Sequence, residues 1–508
     1  MRKNLTLLNS AAGVLNKLVS LVFVFFVRYF FARNLDIELM GLEGLFSNIL
    51  SVFSLVDAGI GSAIAFGLYK PLYENDRDTV SSIMALYKKV YSVIGIIVLA
   101  LSVVVSPFVP FIIKETTLAS KSIITFFLIY AAGVAVSYFF AYKRTLIFAT
   151  QRNYIVLVID TLTKVLVSVL QIAVLLVAKS YLGYLILVVV FNFLSNVLVS
   201  IVAKRKDLYD EKSKKKLPKE YTKKLITDVK ALAITNISWI GINSTDNILI
   251  SALSGVLDLA KNANYSTIIL NISGFIKMFL GGVSASVGDM IAEGNIEKIR
   301  KYFSRYTFIY HLISGYVALG VFLVSKSFIE IWVGESFVFD TLTTLIISIS
   351  LFCTLIFAPV ADFQSFSGLF IYYKKHSVIA LFINLATSVV LGNYCGIKGV
   401  FLGTIITHVY MLICVTHNVH KRLLKIRAKE YLLSLIKSIT CVLVTGVSAF
   451  AIINATKFHG LLEMILGVMV LTIIYILTNS VMFFKDESYR FFIDFALKQL
   501  KKFLVRRK

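Results

Sequence analysis

The chain has 508 residues, 58% of them apolar and 16% charged, with a mean hydropathy of +0.83. Soluble domains run at roughly 45–50% apolar and about 25% charged, so a cytosolic multidomain enzyme, a disordered chain and a disulfide scaffold are excluded. The 52 Lys and Arg against 28 Asp and Glu give a formal charge of +24, and in so greasy a chain the position of the cations matters more than their sum.

A bilayer core of about 30 Å takes about 20 apolar residues as a helix, and the sequence shows no succession of short alternating strands. The apolar stretches predict an all-α polytopic membrane protein of about 14 spans: 8–32, 44–67, 90–113, 122–142, 154–178, 183–203, 231–253, 264–283, 306–325, 341–361, 377–393, 399–417, 438–456 and 464–484. The stretch 377–393 is short and interrupted by Asn384, Thr387 and Ser388. With the N-terminus in the cytoplasm, 40 of the basic residues fall on the inner side, 8 outside and 4 within spans. This asymmetry predicts a cytoplasmic membrane protein with both termini inside. Arg28 interrupts the first apolar run and no small-residue cleavage site follows, so that run reads as a span rather than a signal peptide.

Every predicted loop is short. The longest, Lys204 to Lys230, is basic and cytoplasmic, and the largest outer loop, near Lys326 to Asp340, has room for no catalytic domain. The tail from Lys485 mixes Phe491, Phe492, Phe495, Leu500 and Phe503 with Lys498, Lys501 and Lys502, which suits a helix lying on an anionic inner leaflet.

Shifting the sequence against itself by 219 residues aligns Glu74 with Glu293, Tyr87 with Tyr306, Tyr91 with Tyr310, Val105 with Val324, Ser106 with Ser325 and Ile112 with Ile331. The shift crosses an even number of spans, so both copies enter the membrane the same way. Two parallel pseudo-symmetric six-helix lobes are therefore expected, a construction that secondary transporters use. Residues 1–203 form the first lobe, 204–230 a basic connector, 231–420 the second lobe, and 421–508 two extra spans and the tail.

Ionisable groups inside a span are costly and usually face water or a partner. Lys17 and Arg28 lie eleven residues apart on one face of the first span, as a cationic stripe or as two snorkelling side chains. Asp57 stands among small residues in VDAGIGSA, which permits close packing or a local break. Asp160 and Lys164 sit at i, i+4 and are expected to neutralise each other in a cavity. The seventh span carries Asn236, Asn243 and Asn247 as a polar stripe with Asp246 beside them, and Lys277 lies in the eighth. Asp57 and Asp246 are the candidates for coupling to an ion.

The four cysteines are scattered singly, and His417 and His420 have no third ligand nearby, so neither metal nor cofactor is expected. No phosphate-cradling GxxxxGK[ST], GxSxG or HExxH motif occurs, so neither an enzyme nor an ATP-driven pump is expected.

Several segments resemble the Wzx-type oligosaccharide flippases, the polysaccharide repeat-unit flippases of the MOP superfamily. They are GLEGLFSNILSVFSLVDAGIGSAIAFGLYKPLYENDRD (Gly41 to Asp78), LIFATQRNY (Leu146 to Tyr154), TDNILIS, NANYSTIILNI, SVGDMIA (Ser286 to Ala292) and the run from Ser367 to Ile406. The resemblance implies two six-helix lobes that open alternately to each side, and a polyprenyl-pyrophosphate oligosaccharide as substrate. Polysaccharide polymerase and glycosyltransferases are the implied partners, besides membrane lipids. It further implies that Arg28 and Lys277, which fall on comparable helices, contact the pyrophosphate; Lys17, Asn243 and Asn247 join them as substrate-binding candidates because they are polar groups within spans. A diphosphate cannot cross hydrocarbon uncompensated, and Lys and Arg are the side chains suited to it. Two alternatives stay open: a multidrug exporter of the same superfamily, whose cavity would be acidic, and a membrane-embedded polymerase or ligase, which the short outer loops disfavour. The spans hold Lys17, Arg28, Lys164 and Lys277 against Asp57, Asp160 and Asp246.

Overall fold

The computed structural model describes residues 2–54, 60–113, 116–205, 244–280, 290, 295–367, 369–455 and 460–505. Every regular element among the described residues is helical. The protein is an all-α multi-pass membrane protein: among the described residues eleven helices are long and apolar enough to cross a membrane, and each falls on a predicted span. The fourteen spans expected are not all recovered as single membrane-length helices. The stretch 44–67 becomes two helices on either side of residues 55–59, which lie outside the described residues, as does most of 231–253. The described part of the stretch 264–283 belongs to the helix Val256–Leu280, whose hydropathy Asn262, Asn264, Asn271 and Lys277 lower.

The chain divides by its contacts into Met1–Ala263 and Asn264–Lys508. The first unit holds α1 (Arg2–Asn34), α2 (Ile37–Phe53), α3 (Ile60–Tyr73), α4 (Arg77–Val105), α5 (Ser120–Ala149), α6 (Asn153–Val177), α7 (Tyr181–Arg205), a helical segment over 244–254 called α8, and the start of α9 (Val256–Leu280). The connector expected at 204–230 lies, from 206 on, outside the described residues. Three-residue turns join α5 to α6 and α6 to α7, so these helices run as antiparallel neighbours. Asparagines lock α1 along α6: Asn9 donates to the Gln151 carbonyl at 2.8 Å and accepts from Tyr154 N at 2.7 Å, and Asn16 donates to Thr161 Oγ1 at 2.9 Å. Amide pairs of this kind hold helices together where lipid supplies no hydrophobic drive. Near its start, α2 is tied to the loop before α5, because the buried Glu38 carboxylate accepts from the Thr116 hydroxyl at 2.6 Å and from the Thr117 hydroxyl at 2.9 Å.

The second unit contains the rest of α9, then α10 (Ile296–Trp332), α11 (Thr341–Phe366), α12 (Phe370–Cys395), α13 (Ile397–Asn418), α14 (Lys429–Ala455), α15 (Leu461–Phe483) and α16 (Glu487–Val505). Gly399 and Gly403 on α13, spaced as a small-xxx-small motif, let α12 approach closely. A Cβ at Gly403 would stand 2.7 Å from Ser388 N, and one at Gly399 would overlap the Leu391 carbonyl. Asn384, Thr387 and Ser388, which interrupt the predicted span 377–393, bond to Thr404, the Gly403 carbonyl and the Val400 carbonyl across this seam. Helices α14 and α15 pack on α10 through Leu319, Leu323, Ala449, Ile453, Leu471 and Tyr475. The Tyr475 hydroxyl donates to the Leu312 carbonyl at 2.8 Å. Because α10 runs on to Trp332, the outer loop expected at Lys326 to Asp340 shrinks to 333–340.

The 219-residue register reappears in local geometry. Asp76 caps α4 by accepting from Thr79 N, and Asn295, 219 residues on, caps α10 by accepting from Lys298 N, both at 3.0 Å. Tyr87 and Tyr91 meet edge to face at 4.4 Å between centroids, and Tyr306 and Tyr310 do so at 5.0 Å.

Candidate functional site

In the first unit the polar side chains gather around a residue that the span boundaries excluded. Glu43, half-buried on α2, accepts a hydrogen bond from the Tyr184 hydroxyl of α7 at 3.3 Å. Its charge acts on Tyr130 of α5, on Lys164 of α6 and on Tyr181 of α7, and Arg28 of α1 acts on the same Tyr184. Side chains of five helices are thus linked electrostatically, Lys164 with Glu43 and Arg28 with Tyr184. The walls are aromatic: Phe31 meets Tyr181 and Tyr184 edge on at 5.9 and 5.3 Å, and Phe126 meets Tyr181 at 4.9 Å. Ser47, one turn along α2 from Glu43, is exposed and bonds to Tyr130.

Asp160 and Lys164 do not form the pair their i, i+4 spacing suggests. Arg144 of α5 grips both Asp160 oxygens at 2.9 Å, Ser195 of α7 adds a bond at 2.7 Å, and Arg144 also donates to Asn196 at 2.7 Å. A guanidinium fork arriving from a neighbouring helix engages a carboxylate bidentately, which an ammonium one turn along the same helix cannot do. Lys164, half-buried, instead feels Glu43.

In the second unit Lys277, exposed on α9, acts on Asp362 of α11, which accepts from the Tyr306 hydroxyl of α10 at 2.9 Å. Beside these helices lies an apolar crevice of about 250 Å³ walled by Ile268 and Ile272 of α9, Gly320 and Val324 of α10, and Val468 and Leu471 of α15. Tyr316 adds its ring there while its hydroxyl pairs with Thr472 at 2.9 Å, so the crevice offers a ligand little but hydrocarbon.

The remaining predicted residues are dispersed. Lys17 lies half-buried on α1, eleven residues before Arg28, and Asp246 lies half-buried on α8. Asn247 accepts from the Asn262 amide at 2.8 Å, a helix-to-helix bond between α8 and α9. Asp57, Asn236 and Asn243 are outside the described residues.

Glu43, Asp362 and Arg144 escaped the sequence reading because they stand one or two residues beyond the predicted spans 44–67, 341–361 and 122–142. Polar residues bordering an apolar run were the available signal. Adding them to the candidates of the predicted spans gives Lys17, Arg28, Arg144, Lys164 and Lys277 against Glu43, Asp57, Asp160, Asp246 and Asp362, of which Asp57 lies outside the described residues. The sign of the charge therefore no longer separates an anion carrier from a cation exporter, and only the pairing does.

Among solved structures the chain is similar to a lipid II flippase, MurJ, in an inward closed conformation, with a TM-score of 0.63 at 13% identity over 94% of this chain and 99% of that one. It is also similar to an inward-facing multidrug resistance MATE family transporter of the MOP superfamily, with a TM-score of 0.62 at 13% identity over 79% and 94% of the two chains. A third is the Vibrio cholerae MATE transporter VcmN in its bent form, with a TM-score of 0.52 at 16% identity over 84% and 98%. The chain shares its overall fold with these three structures. No family model matches the sequence, and no curated protein sequence matches it.

Proposed function

We propose that the protein is a flippase of the Wzx type, carrying polyprenyl-pyrophosphate-linked oligosaccharide repeat units across the cytoplasmic membrane by alternating access for capsule or O-antigen export. The observation that carries this reading is the apolar crevice against α15, in the same unit as the exposed Lys277. A polyprenyl tail is a flexible hydrocarbon that gains by leaving water for such a surface, and a multidrug substrate has no such appendage to place. Arg28 and Lys164 supply the matching charge in the first unit, where Glu43 acts on Lys164 and Arg28 on Tyr184. The breadth of the flippase likeness, 94% of the chain against 79 and 84% for the two multidrug transporters, points the same way.

In this reading Arg28 binds pyrophosphate oxygens through its fork, Lys17 and Lys277 add charge, and Asn243 and Asn247 add polar contacts. Asp57 or Asp246 couples transport to protons or sodium. Both termini and the connector lie in the cytoplasm, with 1–203 and 231–420 as the two lobes. Polymerase and glycosyltransferases act on either side of the step.

The test is translocation of lipid-linked oligosaccharide in reconstituted vesicles, with membrane expression measured alongside. Arg28→Gln should abolish flipping at normal protein level, and Arg28→Lys should keep part of it because charge survives while the fork is lost. Full activity in Arg28→Gln removes this residue from the site, and wild-type vesicles that move no lipid-linked sugar remove the flippase reading. A second reading draws on one observation: the Glu43 carboxylate among Tyr130, Tyr181 and Tyr184 is what an organic cation seeks. Export of a fluorescent organic cation that depends on Glu43 would favour it.

A further inference from the structure

The C-terminal helix α16 takes no part in the proposed transport site, yet it is both held and exposed. Three residues, Phe484 to Asp486, separate it from the end of span α15, so at about 3.5 Å for each of the four steps its start lies within roughly 14 Å of that span's end. Its first turns are clasped to the base of α10. Lys301 Nζ reaches Glu487 at 2.7 Å, the Ser304 and Ser488 hydroxyls pair at 3.1 Å, and the Arg305 guanidinium lies 3.8 Å from the centre of the Phe491 ring. The Lys301 hydrogen bond and charge hold the Glu487 carboxyl below its usual range.

Farther along, Ile493, Leu497 and Lys498 are exposed. At about 100° per residue the sequence places Phe492, Ile493, Leu497, Leu500, Phe503 and Leu504 in one sector of about 140°, with Arg490, Lys498, Lys501 and Lys502 on the other side, which also carries Phe491, set against Arg305, together with Asp494 and Phe495. A helix hydrocarbon on one side and cationic on the other, beginning at the mouth of a membrane span, matches one surface in both respects. We propose that α16 lies in the plane of an anionic lipid leaflet, its apolar sector among the acyl chains and its lysines among the headgroups, with the Glu487 clasp fixing where it starts. Charge complementarity selects the occupant: a second copy of this chain would bring like charges together, whereas an anionic leaflet brings opposite ones.

The test uses the full-length protein, its four native cysteines replaced, with a nitroxide at position 497 or 498, in nanodiscs of phosphatidylcholine alone or with one quarter phosphatidylglycerol. With the anionic lipid, position 497 should become several-fold more accessible to oxygen than to a water-soluble nickel complex, while 498 stays aqueous. Replacing Lys498, Lys501 and Lys502 by Gln should abolish the difference between the two lipids. Position 497 aqueous in both lipids, embedded equally in both, or broadened by a label on a second copy would each overturn the proposal. Flipping is not read in this experiment, so its failure leaves the transport reading untouched.

Discussion

The Arg144–Asp160 clamp gives a prediction that separates tertiary pairing from sequence spacing. Three charge-assisted hydrogen bonds converge on Asp160, two from Arg144 at 2.9 Å and one from Ser195 at 2.7 Å. The side chains are 28% and 34% exposed, which places the pair between a solvent-exposed ion pair, worth about 0–1 kcal/mol, and a buried one, whose rupture costs about 3–5 kcal/mol. Asp160→Asn keeps the shape and removes the charge, so a loss of about 2 kcal/mol is expected. For a unit of this size that corresponds to a fall of roughly 4–8 °C in melting temperature, read by size exclusion after heating in detergent. Arg144→Met should fall by a similar amount, and the double variant should lose much less than the sum, because the two changes remove one interaction. Lys164→Met should leave the melting temperature nearly unchanged. If Lys164→Met destabilises as much as Arg144→Met, or if Asp160→Asn is silent, the clamp is not what holds α5, α6 and α7 together.

Three further outcomes follow from other parts of the molecule. Gly403→Ala puts a Cβ 2.7 Å from Ser388 N and forces α12 and α13 apart, so a loss of about 1–3 kcal/mol is expected in the same melting assay, whereas Gly13→Ala, which meets nothing within 4 Å, should be neutral. Asp340 caps α11 by accepting from Thr343 N at 3.0 Å and pairs with Lys398 at 3.4 Å. Burial pushes its carboxyl up, but the bonds from Thr343 and Lys398 outweigh this and hold it below the usual range. A depressed carboxylate stabilises fully above its unfolded value and loses that contribution as pH falls through its folded one. Asp340→Ala should therefore cost about 1 kcal/mol at pH 7, and the gap from wild type should close below about pH 4, as followed by melting across pH. Finally, in a chain otherwise free of cysteine, an impermeant thiol reagent applied to intact cells should label position 457 and spare position 214. The reverse pattern would invert the proposed topology.

Hydropathy made the helical, polytopic architecture legible, and each of the eleven membrane-length helices coincides with a predicted apolar run. The register of 219 residues was read from pairs such as Tyr87 with Tyr306 and Tyr91 with Tyr310, and these tyrosines make the same edge-to-face contact in each copy because residues four apart share a helix face. Helix ends were read less well. Amphipathic turns such as IEKIRKYF at the start of α10 look polar to a hydropathy window yet continue the helix, since one of their faces packs against neighbours and the other meets the interface.

That error at the ends hid the residues that organise the polar interior, Glu43, Arg144 and Asp362. Composition and spacing along one helix determine that charged groups enter the membrane, because each is costly there and stands out in the sequence. Which groups meet is decided by the rotation and crossing of neighbouring helices, and no i, i+4 rule contains that information. Asp160 and Lys164 share a helix face by sequence, but α5 delivers a guanidinium fork to Asp160 and α2 leaves Glu43 near Lys164. The sequence by itself determined the solvent this protein lives in and the helices that cross it, since both depend on side-chain transfer free energies summed along the chain. The tertiary structure alone decided the partners of its buried charges, because an ion pair inside a membrane depends on ångström-scale distances between residues far apart in sequence.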